Sequence, residues 1–207
     1  MDPGTHVGYQ GVPGAYSEEA LLSFAPEAEA ISFHTLPDLF AALESGEIER
    51  AFVPVENSHA GSVVEAYDLM LDHPSTVLAE WIHPIHPSLP PENMETSPDN
   101  ATRYFLLEQG AWEPGRTVRS EGAGKTSIVF AVAHQPGALV RALSSFSRQH
   151  VNLARLESRP SRRESWEYLF FTDLEGYEDE PPVHAALTEM RRLNPYARIL
   201  GSFPAAR

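Results

Sequence analysis

The densest group of chemically useful side chains is Glu56-Asn57-Ser58-His59-Ala60-Gly61-Ser62, which follows the apolar run Phe52-Val53-Pro54-Val55. Such a run, entering a polar cluster and then an apolar-periodic segment, reads as a buried strand, a tight loop and a helix start. Ligands in open α/β sheets collect at that place, outside the carboxyl ends of the strands. The amide of Asn57 and the hydroxyls of Ser58 and Ser62 are suited to holding the oxygens of a small carboxylate-bearing molecule. Ser58 or Ser62 serves equally well as the N-cap of the next helix, and Glu56 as an acid or as a structural tie. Upstream, Gly11-Val12-Pro13-Gly14-Ala15-Tyr16-Ser17 turns out of a short strand, and its glycines let the backbone pass close to a ligand. Ser17, with Glu18 and Glu19, opens a helix whose acids suit the dipole. The Gly-x-Gly-x-x-Gly spacing of a dinucleotide site is absent. Downstream, Thr102-Arg103 sets a hydroxyl beside a guanidinium, a pairing suited to carboxylates; alone, it reads as a strand edge. His59, His73, His83 and His86 show neither the helical pair nor the carboxylate spacing of a metal centre. No metal and no cofactor is expected.

Around these residues, strand and helix patterns alternate. Strands are expected at 7–10, 31–33 and 51–55, an extended segment at 77–85, and another strand at 105–107. Helices are expected at 18–24, 37–45 and 63–71, the second stopped by Gly46. The alternation argues for an α/β layer with a parallel sheet. From His86 to Asn100, Pro87, Pro90, Pro91 and Pro98 mark a connector without period. A Gly- and charge-rich stretch at 111–124 reads as a linker, separating a first domain at 1–110 from a second at 125–207. The second resets to strands at 126–133, 151–157, 166–173 and 198–203, with helices at 136–149 and 183–193. That order, β-α-β-β-α-β, is the ferredoxin-like sandwich. Trp166 and Tyr168-Leu169-Phe170-Phe171 are expected in its core.

Composition narrows the function. The 207 residues are 42% hydrophobic and 10% aromatic, which supports a globular core. A formal charge of −14 disfavours nucleic acid and anionic membranes as partners. There is no cysteine, which removes thiol nucleophiles, disulfides and thiolate metal sites. No apolar run reaches membrane-spanning length and the N-terminus lacks a signal pattern, so a cytoplasmic protein is expected.

Several stretches together resemble prephenate dehydratase, the family that converts prephenate to phenylpyruvate on the route to phenylalanine. They are Gly11-x-x-Gly14-x-Tyr16-Ser17; Pro54-Val55-Glu56-Asn57-Ser58 with Gly61-Ser62-Val63 and Asp68-Leu69; Pro84-Ile85-x-Pro87-x-Leu89; and Asn100-x-Thr102-Arg103-Tyr104, where the family usually has phenylalanine last. Gly137-Ala138-Leu139 and Glu157-Ser158-Arg159-Pro160 resemble the family's regulatory ACT domain. The resemblance implies an α/β fold: a periplasmic-binding-protein-like catalytic domain of two lobes, followed by a ferredoxin-like βαββαβ ACT domain. One departure stands out. The family builds its second lobe between the Pro-Ile segment and the Thr-Arg-Phe motif, and here a dozen residues join them. Independent domains need roughly 40 residues or more, so this chain is expected to hold lobe one alone.

The resemblance implies a catalytic set of Thr102, Ser58 and Asn57, with Ser17, Gly61, Ser62 and Arg103 at the substrate. Thr102 matches the family's essential threonine and is expected at the leaving hydroxyl. Phenylalanine, as effector, is expected at Gly137, Ala138, Leu139, Val140, Asn152, Glu157, Ser158, Arg159 and Pro160. An unpaired sheet edge argues for a homodimer or homotetramer. The competing reading is a catalytically impaired, phenylalanine-sensing ACT-domain binding protein.

Overall fold

The computed structural model describes residues 1–85, 99–161, 168–194 and 196–206. Pro87 and Leu89 of the Pro-Ile motif, most of the His86–Asn100 connector, and Trp166 lie outside the described residues. Two compact units are present, Met1–Ala111 with the chain end from Ala206, and Trp112–Ala205. None of the described helices is long and apolar enough to cross a membrane.

The first unit runs β1 (His6–Gln10), α1 (Tyr16–Phe24), β2 (Glu29–Phe33), α2 (Leu36–Ser45), β3 (Arg50–Asn57), β4 (Gly61–Ser62), α3 (Val64–Asp72), β5 (Ser75–Pro84) and β6 (Ala101–Gln109). Its sheet has the order β2-β1-β3-β6-β5, with β4 attached to β3. β1 pairs in parallel with β2 and β3, but β6 is antiparallel to both β3 and β5. The expected all-parallel sheet is therefore a mixed one. β5 and β6 are consecutive strands paired side by side as a hairpin, and strands joined in that way run antiparallel. The Ile85 N–H closes that hairpin on the Asn100 carbonyl at 2.8 Å.

Side-chain alternation sends one face of this sheet to α1 and the other to α2. The α1 side buries Val7, Tyr9, Leu21, Phe52, Tyr104 and Leu106. On the other side Gly8 lies under α2, where an added Cβ would come within 2.5 Å of Leu39 and Ile48. α2 has clear sequence stops: the Thr35 hydroxyl accepts the Asp38 N–H at 3.2 Å, and Gly46 ends the helix at φ 78°.

The second unit runs β7 (Gly124–Ala131), α4 (Ala138–Arg148), β8 (Leu153–Pro160), β9 (Tyr168–Glu175), α5 (Pro181–Leu193) and β10 (Tyr196–Pro204). Its antiparallel sheet, in the order β10-β7-β9-β8, leaves β8 as an edge. This is the ferredoxin-like arrangement. Both helices pack on one sheet face over Ile128, Phe130, Phe146, Phe170, Leu187 and Met190. The stretch ahead of β7 packs with this unit: Trp112 lies against its core, and the Val118 N–H bonds the Ser202 carbonyl at 2.9 Å.

Candidate active site

The site is assembled by two strands that are neighbours in space and 45 residues apart in sequence. β3 pairs with β6 so that Asn57 faces Thr102 and Glu56 faces Arg103. A bulge at Val55 sets this register, because pairing skips from Pro54 to Glu56. On the far side of β6, His83 of β5 faces Thr102.

Asn57 is the strut of the site. Its Nδ2 donates to Asn100 Oδ1 at 2.8 Å, to the Ala101 carbonyl at 3.1 Å and to Thr102 Oγ1 at 3.1 Å. Its Oδ1 accepts the N–H groups of His59 at 3.0 Å and Ala60 at 2.9 Å. Every polar atom of that amide has a partner, so Asn57 acts through Thr102 and the loop. Ser58 is also engaged: its hydroxyl donates to the Asp99 carbonyl and accepts the Ala101 N–H, both at 3.0 Å. Gly61 takes φ 80° at the end of the tight turn that Asn57 starts, and Ser62 pairs with Glu56. Neither Ser58 nor Ser62 caps α3, whose N-cap is Val63 with no side-chain cap. Ser17 does not cap α1 either. Ala15 holds that position, while the Glu18 carboxylate accepts the Gly14 N–H at 2.5 Å.

Ser17 and Thr102 instead lie near the Tyr104 hydroxyl. Burial pushes the Tyr104 phenol above its ordinary range, and the neighbouring Ser17 and Thr102 hydroxyls oppose the shift. Tyr9, on the same face, is raised by burial and then by the neighbouring Glu18 carboxylate. His83 is buried with 8% of its side chain exposed; its Nε2 has no hydrogen-bond partner and lies 3.6 Å from Glu19 Oε1. The sequence reading missed Tyr104 and His83. The register signal was present, since His83, Trp81 and Tyr104 share the parity of Thr102.

Arg103 points to the opposite face. Its Nη2 and Nε lie 2.6 and 2.8 Å from Glu80 Oε2, Glu56 is 3.7 Å away, and the guanidinium lies 4.7 Å from the Phe105 ring centre. The structure thus brings Asn57, Ser58, Ser17 and Thr102 together and sets Arg103 apart, in a buried ion pair. Among the described residues, no three His, Asp or Glu side chains gather as a metal site.

In the second unit, Gly137 adopts φ 76° at the N-cap of α4. Ala138 is buried, Leu139 packs on the core, and Val140 is 68% exposed. Asn152 Nδ2 donates to Glu175 Oε1 at 2.9 Å. Along β8, Glu157 and Arg159 are half-buried while Ser158 and Pro160 face outward. Gly137 precedes α4, which is about 16 Å long for 11 residues, and Asn152 lies beyond its far end in the chain.

Two family models match the chain: prephenate dehydratase over residues 7–93 and the ACT domain over residues 126–191. The X-ray structure of prephenate dehydratase from Streptococcus mutans aligns at TM-score 0.80 and 31% identity, over 98% of this chain and 100% of that one. The chain belongs to the prephenate dehydratase family. A prephenate dehydratase from Arthrobacter aurescens, solved in complex with L-Phe, shares the fold at TM-score 0.81 and 22% identity, over 97% and 90% of the two chains. GqqA, described as a novel type of quorum quenching acylase, aligns at TM-score 0.82 and 29% identity over 97% of this chain and 95% of its own. Among curated relatives, the bifunctional chorismate mutase/prephenate dehydratase of Aquifex aeolicus is 39% identical over 121 residues, 58% of this chain and 32% of that protein. An Arabidopsis thaliana arogenate dehydratase/prephenate dehydratase is 25% identical over 98% of this chain and 73% of that protein. That alignment spans 289 positions against 207 residues here, so at least 289 − 207 = 82 positions have no counterpart in this chain. A short form of the family is what the missing-lobe expectation requires.

Proposed function

We propose that this chain is a prephenate dehydratase, converting prephenate to phenylpyruvate with loss of CO2 and water, and that phenylalanine regulates it through the ACT domain. The observation that carries the reading is the Thr102 hydroxyl. Asn57 orients it at 3.1 Å, at the mouth of a loop that Ser58 staples shut. The reaction restores an aromatic ring, so the protein has only to anchor the substrate and protonate the departing oxygen. Thr102 is the proton donor, and Ser17, Gly61 and Ser62 border the same mouth. The wall a second lobe would add is missing. Turnover is therefore slower than in longer relatives, each ~1.4 kcal/mol of lost transition-state stabilisation costing about tenfold in rate. The test is phenylpyruvate formation from prephenate by the wild type and by Thr102→Ala. Equal rates for both would reject the reading.

Phenylalanine binds between two copies of the ACT unit, Gly137 to Val140 from one and Asn152 from its partner. The length of α4, which lies between those residues in the chain, supports this, and so does the open β8 edge. Light scattering reads the dimer, and calorimetry at millimolar phenylalanine reads the site.

A second reading is an acylase, favoured by the likeness to GqqA together with one local feature. The buried His83 has a free Nε2 and the Glu19 carboxylate beside it, an imidazole–carboxylate pair across the strand register from the Thr102 hydroxyl. Acyl transfer uses a hydroxyl, an imidazole and an orienting carboxylate. Release of free amine from an N-acyl amide, lost in His83→Gln, would establish it.

A further inference from the structure

We propose that His83 is a substrate-binding residue that receives the pyruvyl carboxylate of prephenate, with Glu19 as the anion that the substrate displaces. This rests on the dehydratase reading and names the donor that a dianionic substrate requires. Prephenate brings two carboxylates, and the first unit offers them little positive charge. Residues 1–111 contain Arg50 and Arg103 as their only arginines, and no lysine. Arg50 starts β3, at the opposite end from Asn57, and pairs with Glu108 at 3.7 Å. Arg103 is held in the buried pair with Glu80, on the sheet face turned away from Thr102. The carboxylate partner expected from the Thr-Arg motif therefore has to come from another side chain.

His83 has the required placement. It faces Thr102 across the β5–β6 ladder, and cross-strand neighbours on one face stand roughly 5 Å apart at Cβ. It is the one buried histidine among the described residues. Its Nε2 has no hydrogen-bond partner, a state that costs free energy for a buried polar atom. Glu19 Oε1 lies 3.6 Å away, beyond hydrogen-bond reach, on a side chain 60% exposed in the first turn of α1. A carboxylate thus already stands at the approach to Nε2, held loosely enough to be exchanged for another. As imidazolium or as the Nε2–H tautomer, the ring donates to a carboxylate oxygen. Exchange satisfies the buried nitrogen and returns Glu19 to water, at little loss for so exposed a pair.

The chemistry selects which carboxylate His83 takes. The ring carboxylate leaves as CO2: its C–C bond breaks with the electron pair entering the ring. The hydroxyl departs with its own pair and the Thr102 proton, as water. A donor fixed on the ring carboxylate would oppose the flow of charge out of it. The pyruvyl carboxylate stays anionic from substrate to product, so holding it binds both states equally. Hydroxyl and pyruvyl group sit at opposite ends of the ring. Their receivers must therefore stand side by side without bonding each other, as Thr102 and the unpartnered Nε2 of His83 do.

Prephenate kinetics give one readout, and calorimetry with phenylpyruvate, the product that keeps the pyruvyl carboxylate, gives the other. His83→Leu should raise KM about tenfold or more and weaken phenylpyruvate by the same factor, with kcat within about twofold of wild type. His83→Gln, which keeps an N–H donor, should fall between the two. Glu19→Gln should lower both KM and the phenylpyruvate Kd, because the competing anion is gone. A packing loss would not move the two sites in opposite directions. An unchanged KM in His83→Leu, with turnover that still depends on Thr102, would overturn the assignment and leave the dehydratase reading standing. A raised KM without weaker phenylpyruvate binding would also overturn it, since the ring carboxylate would then be the group at His83. So would weaker binding in Glu19→Gln. Wild-type turnover no faster than Thr102→Ala would remove the dehydratase reading and the assignment with it.

Discussion

Glu80 holds Arg103 in place from a side chain with no solvent exposure, and replacing it with alanine should be the costliest single polar change in the first unit. Glu80 Oε2 receives two guanidinium nitrogens, at 2.6 and 2.8 Å, and its Oε1 accepts the Ala206 N–H at 2.7 Å. In Glu80→Ala the guanidinium stays 10% exposed and loses its nearest carboxylate, while Glu56 remains 3.7 Å away. Removing one partner of a buried pair costs about 3–5 kcal/mol, and the remaining carboxylate places the value at about 3. At about 4 °C per kcal/mol for a body of roughly 110 residues, the first unit should melt about 12 °C lower. Urea denaturation followed by circular dichroism gives the free energy directly. The double variant Glu80→Leu/Arg103→Met should recover to within about 1 kcal/mol of wild type, because well-packed apolar groups replace such pairs at little cost. A loss below about 1 kcal/mol in the single variant would refute the reasoning, as would a double variant no better than the single.

Thr102→Ala should abolish prephenate turnover while shifting stability by less than about 1 kcal/mol, since one half-buried hydroxyl is removed; a matched loss of fold and activity would show a structural role. Gly8→Ala should destabilise by about 1–3 kcal/mol, because its Cβ would meet Leu39 and Ile48 at 2.5 Å, and denaturant midpoints read this. Tyr104 should be among the last tyrosines to ionise in an alkaline ultraviolet titration. Its raised phenol keeps its proton in the folded state after the unfolded chain has lost it, so its contribution to stability is complete below about pH 10 and is lost as pH rises through the folded value. Tyr104→Phe should therefore flatten the alkaline decline in stability.

Much of this was legible in the residues. The alternating strands, the Thr35 and Gly46 boundaries of α2, and the βαββαβ order follow from periodicity and capping chemistry. The grouping of Asn57, Ser58, Ser17 and Thr102 came from motif order. What the sequence hid was mostly parity. Bulges at Val55 and Leu78 each add one residue to a strand, and they set which faces Glu56 and Glu80 share with Arg103. No periodic count shows a bulge in advance, so Arg103 was expected at the substrate when it faces Glu80. The parallel sheet failed for a related reason, because strand direction depends on how the chain returns. Ser17 reads as a cap by its type, but Ala15 holds that position.

The hairpin formed by β5 and β6 has a bearing on how a lobe can come and go. Its register is pinned from both flanks: β6 is laddered to β3 on one side and to β5 on the other, and the Ile85 N–H seals the neck on Asn100. Only 13 residues, 86–98, lie between that neck and Asp99. Loop-closure entropy grows as the logarithm of length, so lengthening such a segment by about 82 residues adds only about 1.8 kcal/mol to the closure term. The neck is therefore close to indifferent to what hangs from it. An insertion that folds by itself can be gained or deleted there without moving Thr102 relative to Asn57. The same property makes the stretch between Ile85 and Asp99 the natural place to graft a lid, restoring cover to the site while its strands stay as they are.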